Sequence, residues 1–336
     1  MPAVSTPEPL PPFPDGWYFV ARADELAPGT VLTRRLAGED VVLFRTARGA
    51  LAALRPHCPH LGAHLGHGGR VDGEALRCPM HGFCFDAAGR CTRTGYGTRP
   101  PPTAIAGTRH VRERDGLVLV WHATPARAPT WELPARPLAG ASRLRTHTFA
   151  CAGHPQETSE NAVDLGHLYQ VHAFTDVTMT APLAVDGPQL TSRFAFTRRA
   201  PIAGRALALR VHYAAHVHGL GFSFVDVEVP ALGLRTHQYV LATPTDAGRL
   251  ALTIALRAAP PTRLAVPAGR ALLAELAASA IMRAYVREVA NDLVIWRHKR
   301  YVAQPALAQG DGPIGAYRRW ARQFYPPARA AAAMTP

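Results

Sequence analysis

Along the first third of the chain, apolar residues come in short runs cut by turn-forming groups. Residues 31–36, 41–45 and 51–54 read as strands, separated by Gly-Glu-Asp and Ala-Arg-Gly turns. Residues 116–122 (GLVLVWH) read as a last buried strand, and the prolines recurring over 125–137 mark a linker. A strand is expected at 144–151, then a helical stretch over 159–171. Longer strand patterns follow at 189–198, 206–218, 221–229 and 234–242. The turn TPTDAG at 243–248 leads back into a strand over 249–257. One long helix is expected from about Pro267 to Trp296, with Leu273, Leu276, Ala280 and Ala284 as its apolar stripe. No internal repeat is present. The pattern predicts an α+β chain: an all-β domain over 16–125, a linker at 126–141, and a domain over 142–327 built from an antiparallel sheet and a long C-terminal helix. Residues 1–15, rich in proline, are expected to be a flexible lead-in, and 328–336 a frayed tail.

Composition changes this picture little. The 336 residues are 48% hydrophobic, enough for two cores. The longest apolar stretch, 264–282, is broken by Arg270 and Glu275, so no membrane span is expected. The first residues lack a basic segment followed by an apolar one, so a cytoplasmic location without a secretory signal is expected. The net charge is +13, and Lys299 is the only lysine. The arginines are scattered, with no dense run and no interleaved aromatics, so a nucleic-acid partner is not expected. A basic face that docks an acidic electron-transfer protein is the alternative use of that charge.

The cysteines carry more. Four of the five, Cys58, Cys78, Cys84 and Cys91, lie in one short stretch, which in a long chain of this kind favours a metal site over disulfides. Cys58-Pro-His60 is followed, after residues 61–77, by Cys78-Pro-Met-His81. Each half offers one thiolate and one imidazole on a turn rich in glycine and proline. A structural zinc site usually has both cysteines in one half and both histidines in the other. A two-iron, two-sulfur cluster with two cysteines on one iron and two histidines on the other accepts mixed halves, one ligand from each loop to each iron. Cys84, Cys91 and Cys151 read as small packing residues, and His64 and His67 as surface or hydrogen-bonded histidines.

The stretch CPHLGAHLGHGGRVDGEALRCPMHGFCFDAAGRC (58–91) resembles the Rieske non-haem iron oxygenases, apart from Cys84, where that family more often has an arginine or lysine. A second cluster follows at 160–172, where Asp164, His167 and His172 form D-x-x-H-x-x-x-x-H. Two histidines five residues apart cannot share one helical face, so a helix there must bend or end. Two histidines and a carboxylate make the facial triad of non-haem Fe(II) oxygenases. Residues 287–301 (REVANDLVIWRHKRY) resemble the family's terminal aspartate motif, which nominates Asp292 over Glu288 as the carboxylate. The resemblance makes Asp164 a catalytic bridge between His167 and His81 of a neighbouring subunit, in a homotrimer. It also implies a helix-grip catalytic domain, a [2Fe-2S] cluster on Cys58, His60, Cys78 and His81, and a mononuclear Fe(II) on His167, His172 and Asp292. Oxygen is then a co-substrate, and NAD(P)H supplies electrons through a separate reductase. The tail at 291–326 resembles two steroid-active branches, 3-ketosteroid 9α-hydroxylase and cholesterol 7-desaturase, with the desaturase favoured slightly by His154-Pro-Gln-Glu157 and His81-Gly82-Phe83. An apolar steroid or sterol is the implied substrate. Hydroxylation and desaturation both stay open, as does an aromatic or other natural-product substrate. A plain electron carrier would need only the first half.

Overall fold

The computed structural model describes residues 10–202, 205–263 and 269–326. The tail expected at 328–336 and the beginning of the expected long helix lie outside the described residues, as does most of the lead-in. The chain divides into two compact units, one comprising Gly16–Arg136 with Thr245–Ala247, the other formed chiefly by Pro137–Pro244 and Gly248 onward.

The first unit is all β. Its strands are β1 (Gly16–Arg22), β2 (Val31–Leu36), β3 (Glu39–Arg45), β4 (Leu51–Leu54), β5 (Arg70–Asp72), β6 (Ala75–Arg77), β7 (Cys84–Phe85), β8 (Cys91–Arg93), β9 (Val111–Arg114) and β10 (Leu117–His122). They form three small antiparallel sheets in the orders β1-β10-β9, β2-β3-β4 and β5-β6-β7-β8. Successive side chains of a strand point to opposite faces, and β3 uses both. Val41 and Leu43 pack with Tyr18, Val118 and Val120, while Val42 and Phe44 pack with Leu65, Leu76 and Phe85. One strand thus feeds two cores, and the second of these also holds Cys58 and Cys78.

The second unit is a seven-stranded antiparallel sheet. Its strands are β11 (Arg145–Ala152), β12 (Thr175–Asp186), β13 (Gln189–Ile202), β14 (Arg205–His218), β15 (Phe222–Val229), β16 (Leu234–Asp246) and β17 (Arg249–Ala258), in the order β11-β17-β16-β15-β14-β13-β12. Its helices are α1 (Pro155–Glu160), α2 (Leu165–Gln170), α3 (Arg270–Trp296) and α4 (Ile314–Ala321). The expected long strands and long helix are present. β12 and α4 were not anticipated.

Two local expectations are corrected. The stretch at 159–171 is not one helix but the end of α1 and the whole of α2. Asp164 has extended backbone and caps α2, its Oδ1 accepting the His167 backbone N–H at 2.9 Å, so the chain restarts there. The buried face of α3 is also different. Leu276 is 56% exposed, and the covered line runs through Ala274, Ala278, Val289, Asp292 and Leu293. Two stripes on this helix recur at three and four residues, and the one through Ala278 packs against Leu256 and Ala258 of β17.

The tail motif has a structural role. The Tyr317 hydroxyl donates to the Gln156 carbonyl at 2.6 Å, and Tyr325 donates to the Gln156 side-chain oxygen at 2.7 Å. Arg318 grips the Glu160 carboxylate with two nitrogens at 2.6 and 3.0 Å. Together they hold α1, the element that leads into α2. No helix among the described residues is long and apolar enough to cross a membrane.

Candidate metal centres

The two cysteine loops of the first unit share one backbone design. The Gly62 N–H donates to the Cys58 carbonyl at 2.9 Å, and the Gly82 N–H donates to the Cys78 carbonyl at 3.2 Å. The Cys58 N–H reaches the Ala63 carbonyl, and the Cys78 N–H reaches that of Phe83. Both glycines adopt positive φ, +77° and +67°, which a side chain would resist. The result is two matching turns. Each buries its cysteine, 3% exposed in both cases, and leaves its histidine half-buried.

The rings of His60 and His81 meet edge to face at 4.7 Å, and Phe83 lies flat against His60 at 4.5 Å. His60 Nδ1 is buried and has no hydrogen-bond partner among the described residues. Burial, together with the neighbouring Cys78, pushes the Cys58 thiol up to about 11, although a backbone contact at His60 opposes the shift. Two inward sulfurs, two imidazoles on the outer side and an orphaned ring nitrogen fit a Rieske cluster, whose irons need these donors in this number. Cys84 and Cys91 stand apart from this set. The Cys84 thiol donates to the Gly82 carbonyl, and Cys91 donates to that of Arg93.

His64 and His67 come close to Asp40, so that these three groups also cluster. The Gly66 N–H donates to His64 Nδ1 at 3.1 Å. That nitrogen therefore keeps its lone pair, and the ring proton sits on Nε2, which faces Asp40 at 3.3 Å. This is a histidine held by hydrogen bonds, in keeping with its expected role.

In the second unit, α2 ends at Gln170 and the chain turns back through Ala173, which has a φ of +53°. The turn brings His172 under His167, with their Nε2 atoms 3.0 Å apart. Asp292, near the C-terminal end of α3, places its Oδ1 3.2 Å from His167 Nε2 and 3.5 Å from His172 Nε2. Yet this oxygen is buried and makes no hydrogen bond among the described residues. The three donor atoms lie within 4.8 Å of one another. Burial lowers the His172 imidazole, against the pull of Asp292, and so favours the neutral form that binds a metal. A 2-His-1-carboxylate set of this kind fits a non-haem Fe(II).

Glu288, the rival carboxylate, is engaged elsewhere, its Oε1 2.7 Å from Arg198 Nη2. The contact found for Asp164 is with the backbone of His167 and not with its ring. Burial raises the Asp164 carboxyl, and the His167 amide opposes that shift. Sequence reasoning missed Arg198, Tyr213 and Tyr285, which surround Glu288. One arginine among many and two tyrosines on different elements leave no pattern along a chain.

Comparison with known proteins shows the family. The Rieske [2Fe-2S] domain family matches residues 16–102, and the 3-ketosteroid 9α-hydroxylase C-terminal domain family matches residues 120–325. A cholesterol 7-desaturase of Bombyx mori is 30% identical over 94% of this chain and 70% of its own length. The oxygenase component of a 3-ketosteroid-9-alpha-monooxygenase from Rhodococcus rhodochrous is 23% identical over 93% of this chain and 84% of its own. In fold, apo dicamba monooxygenase superimposes with a TM-score of 0.69 at 19% identity, covering 97% of this chain and all of that one. The Pseudomonas putida NdmA structure with caffeine gives 0.69 at 18% identity, over 91% and 89%. Such enzymes work with a Rieske cluster and a non-haem iron and take electrons from a reductase. The chain is a Rieske oxygenase and belongs to the family whose catalytic half is the C-terminal domain of 3-ketosteroid 9α-hydroxylase.

Proposed function

We propose that this oxygenase desaturates or hydroxylates an apolar, steroid- or sterol-like substrate, with a reaction like that of cholesterol 7-desaturase as the first choice. The observation that carries the reading is the convergence of His167, His172 and Asp292 within 4.8 Å of one another, beside a wall of stacked aromatic rings. Two relatives named as cholesterol 7-desaturases, 30% and 28% identical, point the same way.

When bound, the cluster and the iron supply single electrons and a place where O2 is activated beside substrate. The buried Cys58 and Cys78 would hold one iron of the cluster, and the half-buried His60 and His81 would hold the other. His167, His172 and Asp292 would hold the mononuclear iron. Phe174 lies against His172 at 5.5 Å and Phe196 against Phe174 at 4.3 Å, so one side of the centre is apolar and excludes water. Asp164 holds α2 in place through its cap. Its carboxylate is the proposed bridge to His81 of a neighbouring subunit, in a cytoplasmic homotrimer fed by an NAD(P)H-dependent reductase.

The test is turnover of cholesterol, a 3-ketosteroid and an aromatic acid with a surrogate reductase, NADPH and O2, read by mass spectrometry. Loss of two hydrogens marks desaturation, and gain of one oxygen marks hydroxylation. A protein whose cluster is reduced by the reductase and which oxidises no steroid would sink the proposal.

A further inference from the structure

Beyond the iron ligands, α3 and the sheet bring together a second polar group. Arg198 of β13 and Glu288 of α3 pair at 2.7 Å, although their side chains keep 32% and 27% of their exposure. Tyr213 of β14 and Tyr285 of α3 stand beside them. Both phenols are surrounded by protein, yet neither is fully covered. Partial exposure leaves all four side chains within reach of a small molecule. Neither hydroxyl is among the buried polar atoms that lack a partner, so both stay open to solvent or to a ligand.

Contacts run from this polar group to the iron site. The Arg198 guanidinium lies over the Phe174 ring at 5.5 Å, and Phe174 lies over His172. Tyr213 stacks on Phe194 at 4.6 Å, on the sheet face that also carries Phe196 and Arg198. Glu288 is four residues before Asp292 on one helix, so the pair sits about one turn, ~5.4 Å, from the carboxylate of the iron site. Apolar walls with a few convergent polar groups are what a small-molecule site requires.

We propose that Arg198 and Glu288, with the hydroxyls of Tyr213 and Tyr285, bind the neutral oxygen function of an otherwise apolar polycyclic substrate, an alcohol or a ketone. This rests on the reading that the substrate is steroid-like and that His167, His172 and Asp292 hold the iron. Arg198 and the phenols donate to a carbonyl or hydroxyl oxygen, and Glu288 accepts from a hydroxyl. The anchor lies one helical turn from the iron ligands. The carbon attacked is therefore close to the oxygen-bearing ring and not on a distant side chain.

The experiment measures binding of 5α-androstan-3β-ol, 5α-androstan-3-one and the parent 5α-androstane to the metal-loaded protein, by quenching of tryptophan fluorescence. Wild type is expected to bind both oxygenated ligands at least ~10-fold tighter than the hydrocarbon. Arg198→Met removes that preference and leaves hydrocarbon affinity within ~3-fold. Glu288→Gln weakens the alcohol more than the ketone. Tyr285→Phe removes one hydroxyl without stranding a charge and so tests the idea even where Arg198→Met folds poorly. It is expected to weaken the oxygenated ligands ~3- to 10-fold and the hydrocarbon not at all. Equal losses for all three ligands in every variant would make the pair purely structural and overturn the anchor. Wild type that binds all three equally overturns the anchor alone. Wild type that binds none overturns the steroid reading and the anchor with it.

Discussion

Oδ1 of Asp292 lies 3.2 Å from Nε2 of His167, yet the oxygen forms no hydrogen bond among the described residues. Two groups this close and not bonded are held for a third party. Asp292→Ala is expected to release the mononuclear iron and lower turnover by at least ~100-fold, while the visible spectrum of the cluster stays unchanged. Glu288→Gln is expected to keep the iron, because that carboxylate belongs to Arg198. Metal analysis on the two variants separates them, and iron retained in Asp292→Ala would show the ligand to be wrong.

Asp164 serves two readings, a helix cap and a bridge between subunits. Asparagine caps as well as aspartate, whereas alanine costs ~1 kcal/mol. Asp164→Asn is therefore expected to keep the melting temperature and the iron content. Reoxidation of the reduced cluster in the presence of substrate and O2 should slow by ~10-fold or more, since the charge is gone. Reoxidation at the wild-type rate in stopped flow would confine Asp164 to capping.

The His81 turn is packed against Gly95. A methyl group at Gly95 would fall onto the His81 carbonyl oxygen, with the His81 carbonyl carbon at 2.9 Å and the Gly82 Cα at 3.2 Å. These are backbone atoms and cannot swing aside. Gly95→Ala is expected to displace the turn at a cost of ~1–3 kcal/mol and to lower acid-labile sulfide per chain. Gly97 has a φ of +74° but open space around it, so Gly97→Ala should cost only ~1 kcal/mol and leave the sulfide content normal. Equal sulfide content in the two variants would speak against a packed His81 turn.

Arg318 and Glu160 form a two-point ion pair with side chains 13% and 7% exposed. Removing one partner strands the other charge in the interior. Arg318→Met is expected to cost ~3–5 kcal/mol in denaturant unfolding, and adding Glu160→Gln should recover part of the loss. A loss below ~1 kcal/mol would mean that the pair is solvated, as surface pairs are.

His122, at the end of β10, is 8% exposed. Burial, aided by the Arg109 guanidinium and opposed by Glu39, lowers its imidazole from 6.5 to about 4. The folded state thus binds the proton more weakly than the unfolded chain. The stability linked to this histidine is complete above pH 6.5 and is lost as the pH falls toward 4. The gap corresponds to ~3 kcal/mol at most. His122→Phe should show a shallower fall in unfolding free energy between pH 6.5 and 4 than wild type does. Parallel curves would refute the assignment.

The cysteine and histidine candidates of both centres could be nominated from sequence because metal chemistry is local at each motif. Two C-x-H and C-x-x-H turns, and two histidines around a broken helix, announce their donors within a few residues of one another. The long strands of the sheet were legible for a similar reason, since each carries its own apolar pattern. The buried face of α3 was not, because two stripes on that helix have the same period and only contact with β17 distinguishes them. The break at Asp164 was also missed, because an aspartate can either continue a helix or cap the next one.

Spacing and residue type along the chain thus determined the kind of protein this is: two loops each with one sulfur and one imidazole donor, and a second half with imidazoles and a late carboxylate. Only the tertiary structure decided which carboxylate faces His167 and His172. It also set Arg198 of β13 against Glu288 of α3 and placed two phenols beside them. The physical reason is that these partners are distant in sequence and meet through the packing of a helix on a sheet, which no local pattern records.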